Sequence, residues 1–218
     1  MPQKILMTLD EQIDPKHTAL IVIDPQKDFC DPDGILAKIF RQDVSRVPGA
    51  VKRLNPLIEK ARQTGVSVIW VRAFAAKDKR RPNAMALRGR GGDIVVTEEG
   101  SEGADWYSDI VKPLPTERII TKWNYDAFED TDLDLLLSSK EISTLIFTGF
   151  ATNVCVETTA RHGFIKGYYI VLVSDCTGSY TQEEHDAALI NIEKHFGKVA
   201  TSTEIMESWE ATIRVSLQ

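Results

Sequence analysis

Residues 143 to 175 read STLIFTGFATNVCVETTARHGFIKGYYIVLVSD. Two apolar, β-branched runs, STLIFTG (143–149) and YYIVLVSD (168–175), enclose a stretch with helical patterning over 154–166. Near-continuous apolar runs of this length belong to strands buried on both faces, as in parallel sheets. A strand, a helix and a second strand in that order predict a right-handed βαβ crossover.

The same alternation extends along the chain. TALIVID (18–24), VSVIWVR (66–72), RIITK (118–122) and the weaker KVAT (198–201) read as further strands, with helical patterns over 47–64, 131–140 and 182–196 between or beside them. In the first of these helices Val51, Leu54, Ile58 and Ala61 share a face, Pro56 interrupts the run, and Gly65 stands where a glycine commonly ends a helix. TDLDLLLSSK (131–140) opens with a Thr or Asp cap. The expected fold is α/β: a doubly wound, mostly parallel, six-stranded Rossmann-like sheet with helices on both faces. Residues 1–218 read as a single domain. Its one long, weakly patterned segment, about 73–116, is rich in Gly and Pro, as a lid, binding loop or assembly arm would be.

Composition narrows the function classes. Lys+Arg is 26 against Asp+Glu 32, a net charge of −6, which argues against a nucleic-acid partner. No apolar run reaches the ~18 residues of a membrane span, so no membrane partner is expected. The acids in MPQKILMTLDEQID predict no secretory leader. Three cysteines, Cys30, Cys155 and Cys176, are too few and odd in number for a disulfide framework; reduced thiols and a cytoplasmic location are expected.

In doubly wound sheets, ligands sit beyond the carboxyl ends of the strands. That rule places Asp24, Arg72, Lys122 and the turn after Gly149, which leads to Cys155, along one edge. A thiol at a helix N-terminus feels the positive end of the helix dipole, which favours the nucleophilic thiolate, and free N–H groups there can hold an oxyanion. The alternative for Cys155 is a buried structural cysteine. Asp24 can act as a proton acceptor, or cap the turn before Pro25. Lys122 can pair with Asp24 and lower the thiol pKa, or be a surface lysine at a strand end. Together the three form a nucleophile–base–cation set.

Three motifs carry a family resemblance: ALIVIDPQKDF at the first strand, TKWNYDAFEDTDLDLLL around Lys122 and FTGFATNVCVETTARHGF around Cys155. With them the chain resembles the isochorismatase-like cysteine hydrolases from about residue 17 to 205. The resemblance implies Asp24 as base, Lys122 as electrostatic partner and Cys155 as nucleophile. It implies a cis peptide between Phe150 and Ala151, with the N–H groups of Ala151 and Cys155 as an oxyanion hole. The implied reaction is hydrolysis of a C–N bond in a linear amide through a thioester, with no metal and no organic cofactor. A homodimer or homotetramer is implied as well.

Within the family, Cys155 separates the chain from true isochorismatases, and VRAFAAKDKRRPN (71–83) lacks the histidines of metal-assisted nicotinamidases. GFATNVCVE and NIEKHFG (191–197) are most similar to the ureidoacrylate, biuret and N-carbamoylsarcosine branch, so the expected substrate is a small carbamoyl or ureido amide. An N-carbamoylsarcosine- or maleamate-type amidase, or a non-catalytic binding or assembly member, is the alternative. Asp126 departs from the serine frequent at that place. Phe29, Tyr125, Phe150, Asn153 and His195 are candidate substrate contacts, each with a packing or turn-shaping alternative. Arg72 is the candidate clamp for a substrate carboxylate, chosen from a basic run that also holds Lys77, Lys79, Arg80, Arg81, Arg88 and Arg90. Glu157, Arg161 and Asp175 are a candidate ion network beneath the nucleophile.

Overall fold

In the computed structural model the described residues are 5–76, 81–88 and 94–216. Lys77, Lys79, Arg80 and Arg90 lie outside them, as does the side chain of Arg88. Six strands form one sheet: β1 Thr18–Ile23, β2 Ser67–Ala73, β3 Arg118–Lys122, β4 Thr144–Phe150, β5 Tyr169–Gly178 and β6 Lys198–Ala200. Every pairing is parallel and the order is β3-β2-β1-β4-β5-β6. The chain winds outward one way from β1, then returns to β4 and winds the other way, so β1 and β4 flank the switch point where ligand crevices open.

Pleating sends alternate residues of each strand to opposite faces. Leu20 and Val22 of β1 join a core with α1 (Val47–Thr64) and α5 (Ser202–Ser216), through residues such as Leu54, Ile58 and Trp209. Ala19, Ile21 and Ile23 face the other way, onto α2 (Leu133–Ser139), α3 (Glu157–Ile165) and α4 (Gln182–His195), through Leu133, Ala160 and Ile192. Both faces of the strand are covered, which is why its sequence is an unbroken apolar run. Gly65 ends α1 at φ +79, as expected of a left-handed C-terminal glycine.

Three details depart from the sequence reading. β1 stops at Ile23 because Asp24 turns to φ +49, though its N–H still donates to Val71 O at 2.9 Å. β4 runs one residue past Gly149, and β5 three past Asp175. The β4–β5 register jumps from Phe147↔Leu172 to Gly149↔Thr177, so β5 carries extra residues opposite β4. The expected helix over 154–166 is split into a π-helical turn, Thr152–Val156, followed by α3. At the start of α2, in line with the reading of a Thr or Asp cap, Thr131 Oγ1 accepts from Leu133 N–H, while Asp132 makes no side-chain cap bond.

The segment after β2 is partly tied down. Ala75 bridges Glu98, Gln26 bridges Trp106, and Tyr107 N–H donates to Pro25 O at 2.8 Å. Residues 98–107 thereby lie beside the end of β1.

Candidate active site

Three strand ends converge at the switch point. Asp24 follows β1, Lys122 closes β3, and Cys155 lies in the π-helical turn after β4. Asp24 and Lys122 are wholly buried and Cys155 is 6% exposed. Lys122 Nζ lies 2.8 Å from Asp24 Oδ2 and 3.3 Å from Cys155 Sγ. Its third contact is the Asn124 carbonyl at 2.8 Å. β3 stands two strands away from β1, so only a side chain as long as lysine spans the gap.

Neither Asp24 carboxylate oxygen meets a well-aligned hydrogen-bond donor. Its charge is balanced by the Lys122 ammonium, with the Cys155 thiol as its other polar neighbour. Burial lifts the Asp24 carboxyl above its ordinary value, with Lys122 opposing. Burial alone would lower the Lys122 ammonium, but the charge of Asp24, followed by that of Cys155, holds it above its ordinary value. Burial pushes the Cys155 thiol up to about 12, against the pull of Lys122 and with the help of Asp24. Burial thus opposes the thiolate that the helix dipole and Lys122 favour. Desolvation exceeds the help of the ammonium, although Cys155 lies in the π-helical turn that runs directly into α3. With a protonated thiol and a Lys122–Asp24 ion pair the trio would carry no net charge. Moving the thiol proton to Asp24 preserves that balance.

The turn itself is built by local geometry. Gly149 has φ +106, and a Cβ there would fall 2.0 Å from Ile23 O, so only glycine lets β4 pass so close to β1. The Phe150–Ala151 peptide is cis. Ala151 O accepts from the N–H groups of both Val154 and Val156, at 3.1 and 3.3 Å. Two side chains brace the turn, one just past β5 and one from α4: Ser179 Oγ donates to Asn153 Oδ1 at 2.8 Å, and Thr152 Oγ1 hydrogen-bonds His185 Nδ1 at 2.9 Å.

A cavity of about 400 Å³ opens over Cys155. Phe29, Tyr125, Phe150 and Ala151 line it, together with Lys122 and Cys155. Three expected contacts lie elsewhere. Arg72 faces away: Ala73 and Phe74 line the cavity, whereas Arg72 donates from Nε to Thr121 Oγ1 at 3.0 Å and opens on a separate hollow beside Gly100 and Trp106. Ala73 is the last residue of β2, and Phe74, just past the strand end, borders both hollows, whereas Arg72 borders only the second. Asn153 is absent from the lining and serves the turn. His195 is exposed at the far end of α4, beside Phe196. A helix rises ~1.5 Å per residue, which puts His195 about 20 Å from the end near the site.

The ion network beneath the nucleophile forms only in part. Glu157 accepts from Arg161 and Asn191, but Asp175 is engaged elsewhere, accepting from Ser202 N–H and Oγ at the start of α5 and lying 3.8 Å from Arg53 Nε. Cys30 and Cys176 are fully buried free thiols, as structural cysteines are.

Several site residues escaped the sequence reading. Phe40, Phe74, Trp123, Asn124 and Tyr180 line the cavity. Trp123 and Asn124 follow Lys122 directly in TKWNYD, so their place beside the strand end was readable. Phe40 and Tyr180 come from loops with no local signal. Gln26 and Asp28 of DPQKDF are buried organisers. Gln26 bonds Ala73 N–H and O at 2.7 and 3.0 Å and Ala104 O at 2.9 Å. Asp28 accepts from Thr97 N–H at 2.6 Å and Ile35 N–H at 3.1 Å.

The profile of the isochorismatase domain matches residues 18–204. Among curated relatives, the ureidoacrylate amidohydrolase RutB of Enterobacter sp. (strain 638) is 32% identical over 207 residues, covering 89% of this chain and 90% of that protein. The protein of the same name from Pantoea ananatis (strain LMG 20103) is 34% identical over 207 residues, covering 89% and 82%. Among solved structures, a cysteine hydrolase from Pseudomonas syringae pv. phaseolicola 1448A superposes with a TM-score of 0.82 at 27% identity, covering 97% of this chain and 99% of that one. An N-carbamoylsarcosine amidase from Thermoplasma acidophilum shares the fold, with a TM-score of 0.70 at 24% identity over 85% and 96% of the two chains. A profile match over most of the chain, relatives above 30% identity and a shared sheet topology agree, and the chain belongs to the isochorismatase family.

Proposed function

We propose that this member of the family is a cysteine-dependent amidohydrolase that cleaves a C–N bond, other than a peptide bond, in a small carbamoyl or ureido amide. The carrying observation is the single ammonium of Lys122, buried within contact distance of both the Asp24 carboxylate and the Cys155 sulfur. In this reading Asp24 takes the Cys155 proton as the sulfur attacks the substrate carbonyl, and Lys122 stabilises negative charge wherever it lies along that path. The N–H groups of Ala151 and Cys155 hold the oxyanion. Asp24, now a carboxylic acid, returns the proton to the departing nitrogen as the C–N bond breaks. Ammonia or an amine leaves, and a thioester on Cys155 remains. Water then adds with Asp24 again as base, releasing the acid product and restoring the thiol. Counted together, the trio and the bound substrate stay neutral through each step, because the oxyanion offsets Lys122 while Asp24 holds the proton.

The carbamoyl and ureido class is supported by the similarity to proteins named ureidoacrylate amidohydrolase. Within it, a biuret-, N-carbamoylsarcosine- or maleamate-type substrate uses the same steps. The segment 73–116, which contributes Ala75, Arg81 and Val95 to the cavity wall, fits the role of a lid. A homodimer or homotetramer belongs to the same reading; exposed Leu135 and Ile165, 73% and 77% accessible, are compatible with subunit contacts. Light scattering measures that state.

The test is ammonia release from a panel of biuret, ureidoacrylate analogues, N-carbamoyl amino acids, maleamate and nicotinamide. Release by the wild type that falls by at least about 1,000-fold in Cys155→Ser supports the reading. Release that survives Cys155→Ser overturns it.

A further inference from the structure

The wall above Cys155 is largely apolar. Phe29, Phe40, Phe74, Val95, Val96 and Trp123 all face the cavity. Phe74 and Trp123 meet edge to face, with centroids 6.3 Å apart at 69°. Arg72 stacks against Phe74, its Cζ 4.3 Å from the ring centroid, while its Nε is tied to Thr121 Oγ1. The ring is therefore held by an aromatic neighbour and by a cation that itself stays outside the cavity.

Positive charge in the described lining is confined to Lys122 and Arg81. Lys122 is committed to Asp24, Cys155 and Asn124. Arg81, half-exposed, lies 3.3 Å from Asp130 and 3.7 Å from Glu129. A substrate carboxylate brought against this wall would exchange its hydration for aromatic and aliphatic surface, a costly transfer without a dedicated partner. An apolar group gains from the same exchange. The volume, about 400 Å³, falls within the ~300–1,000 Å³ of pockets that enclose ligands larger than a bare ureide.

Building on the amidohydrolase reading, we propose that the substrate carries an uncharged apolar arm, aryl or branched alkyl, attached to its carbamoyl or amide head. Phe74 is the specificity-determining residue that receives the arm. Arg72 is a positioning residue that acts through Phe74.

Benzylurea and N-carbamoylglycine share one head and differ in a phenyl against a carboxylate, so they isolate the arm. Binding to Cys155→Ala is measured by calorimetry, which separates recognition from turnover. Benzylurea is expected to bind at least about tenfold more tightly than N-carbamoylglycine. Phe74→Ala, folded by circular dichroism, is expected to erase that preference. Arg72→Gln is expected to weaken benzylurea only, raising its KM with kcat unchanged. Binding of N-carbamoylglycine as tight as or tighter than benzylurea, or its selective loss in Arg72→Gln, overturns the proposal. Tight benzylurea binding with no turnover of any amide by the wild type would leave the apolar arm standing and defeat the amidohydrolase reading instead.

Discussion

At Asp24, Lys122 and Cys155 the decisive quantity is desolvation. A buried ion pair broken by removing one partner costs about 3–5 kcal/mol, because the other charge is left alone. Lys122→Met should therefore lower stability by that amount in chemical denaturation, and abolish activity. The double variant Asp24→Asn/Lys122→Met should recover most of the stability and none of the activity. A double variant no more stable than the single one would show that the pair is not balanced as its 2.8 Å contact implies. The thiol makes a second prediction. With Cys155 pushed up to about 12, iodoacetamide should alkylate it slowly at neutral pH, with the rate climbing steadily in alkaline solution. Rapid alkylation of the free protein at pH 7 would mean that Lys122 outweighs burial after all.

At the scale of elements, the site depends on how closely β1 and β4 approach and how the following segments are pinned. Gly149→Ala would place a Cβ 2.0 Å from Ile23 O on a left-handed backbone. Strain and overpacking together should cost at least about 2 kcal/mol, with loss of activity from a displaced Cys155 turn. An unchanged melting temperature would show that the strands can separate there at no cost. Gln26→Ala removes three hydrogen bonds that join the end of β2 to Ala104. It should raise KM more than it lowers kcat, because the cavity wall at Ala73 and Phe74 loosens while the trio stays in place; a pure kcat loss would contradict that.

For the whole molecule, the raised thiol links protonation to folding. The Cys155 pKa in the folded chain, about 12, lies above its ordinary value of 9.0. The folded state thus holds its proton more tightly than the unfolded one. The associated stability is fully present below about pH 9 and is lost as pH rises toward 12. Cys30 and Cys176 are raised for the same reason, burial, and share the slope. Melting temperature should fall across this window, and Cys155→Ala should flatten part of the fall. Equal slopes in the two proteins would show that the thiol is not desolvated in solution. Among the described residues no helix is long and apolar enough to cross a membrane, consistent with a chain whose apolar surface is spent on the two faces of its sheet.

What the sequence by itself determined is the part of the protein written in local pattern. Unbroken runs such as Ala19–Ile23 signal strands covered on both faces, and Gly65 signals the end of a helix. Asp24, Lys122 and Cys155 each sit at a strand end, and a parallel sheet delivers all such ends to one edge, so their meeting was legible before any coordinates. Tertiary structure decided what pattern cannot encode. Arg72 is tied to Thr121 outside the cavity, while Phe74, past the end of β2, lines it. Helix length carried His195 out of reach, and α4 presented His185 to the turn instead. Burial raised the thiol that proximity to Lys122 was expected to lower. Strand order and periodicity are properties of neighbours along the chain. Side-chain direction, distance and dielectric depend on what the rest of the fold packs around each residue.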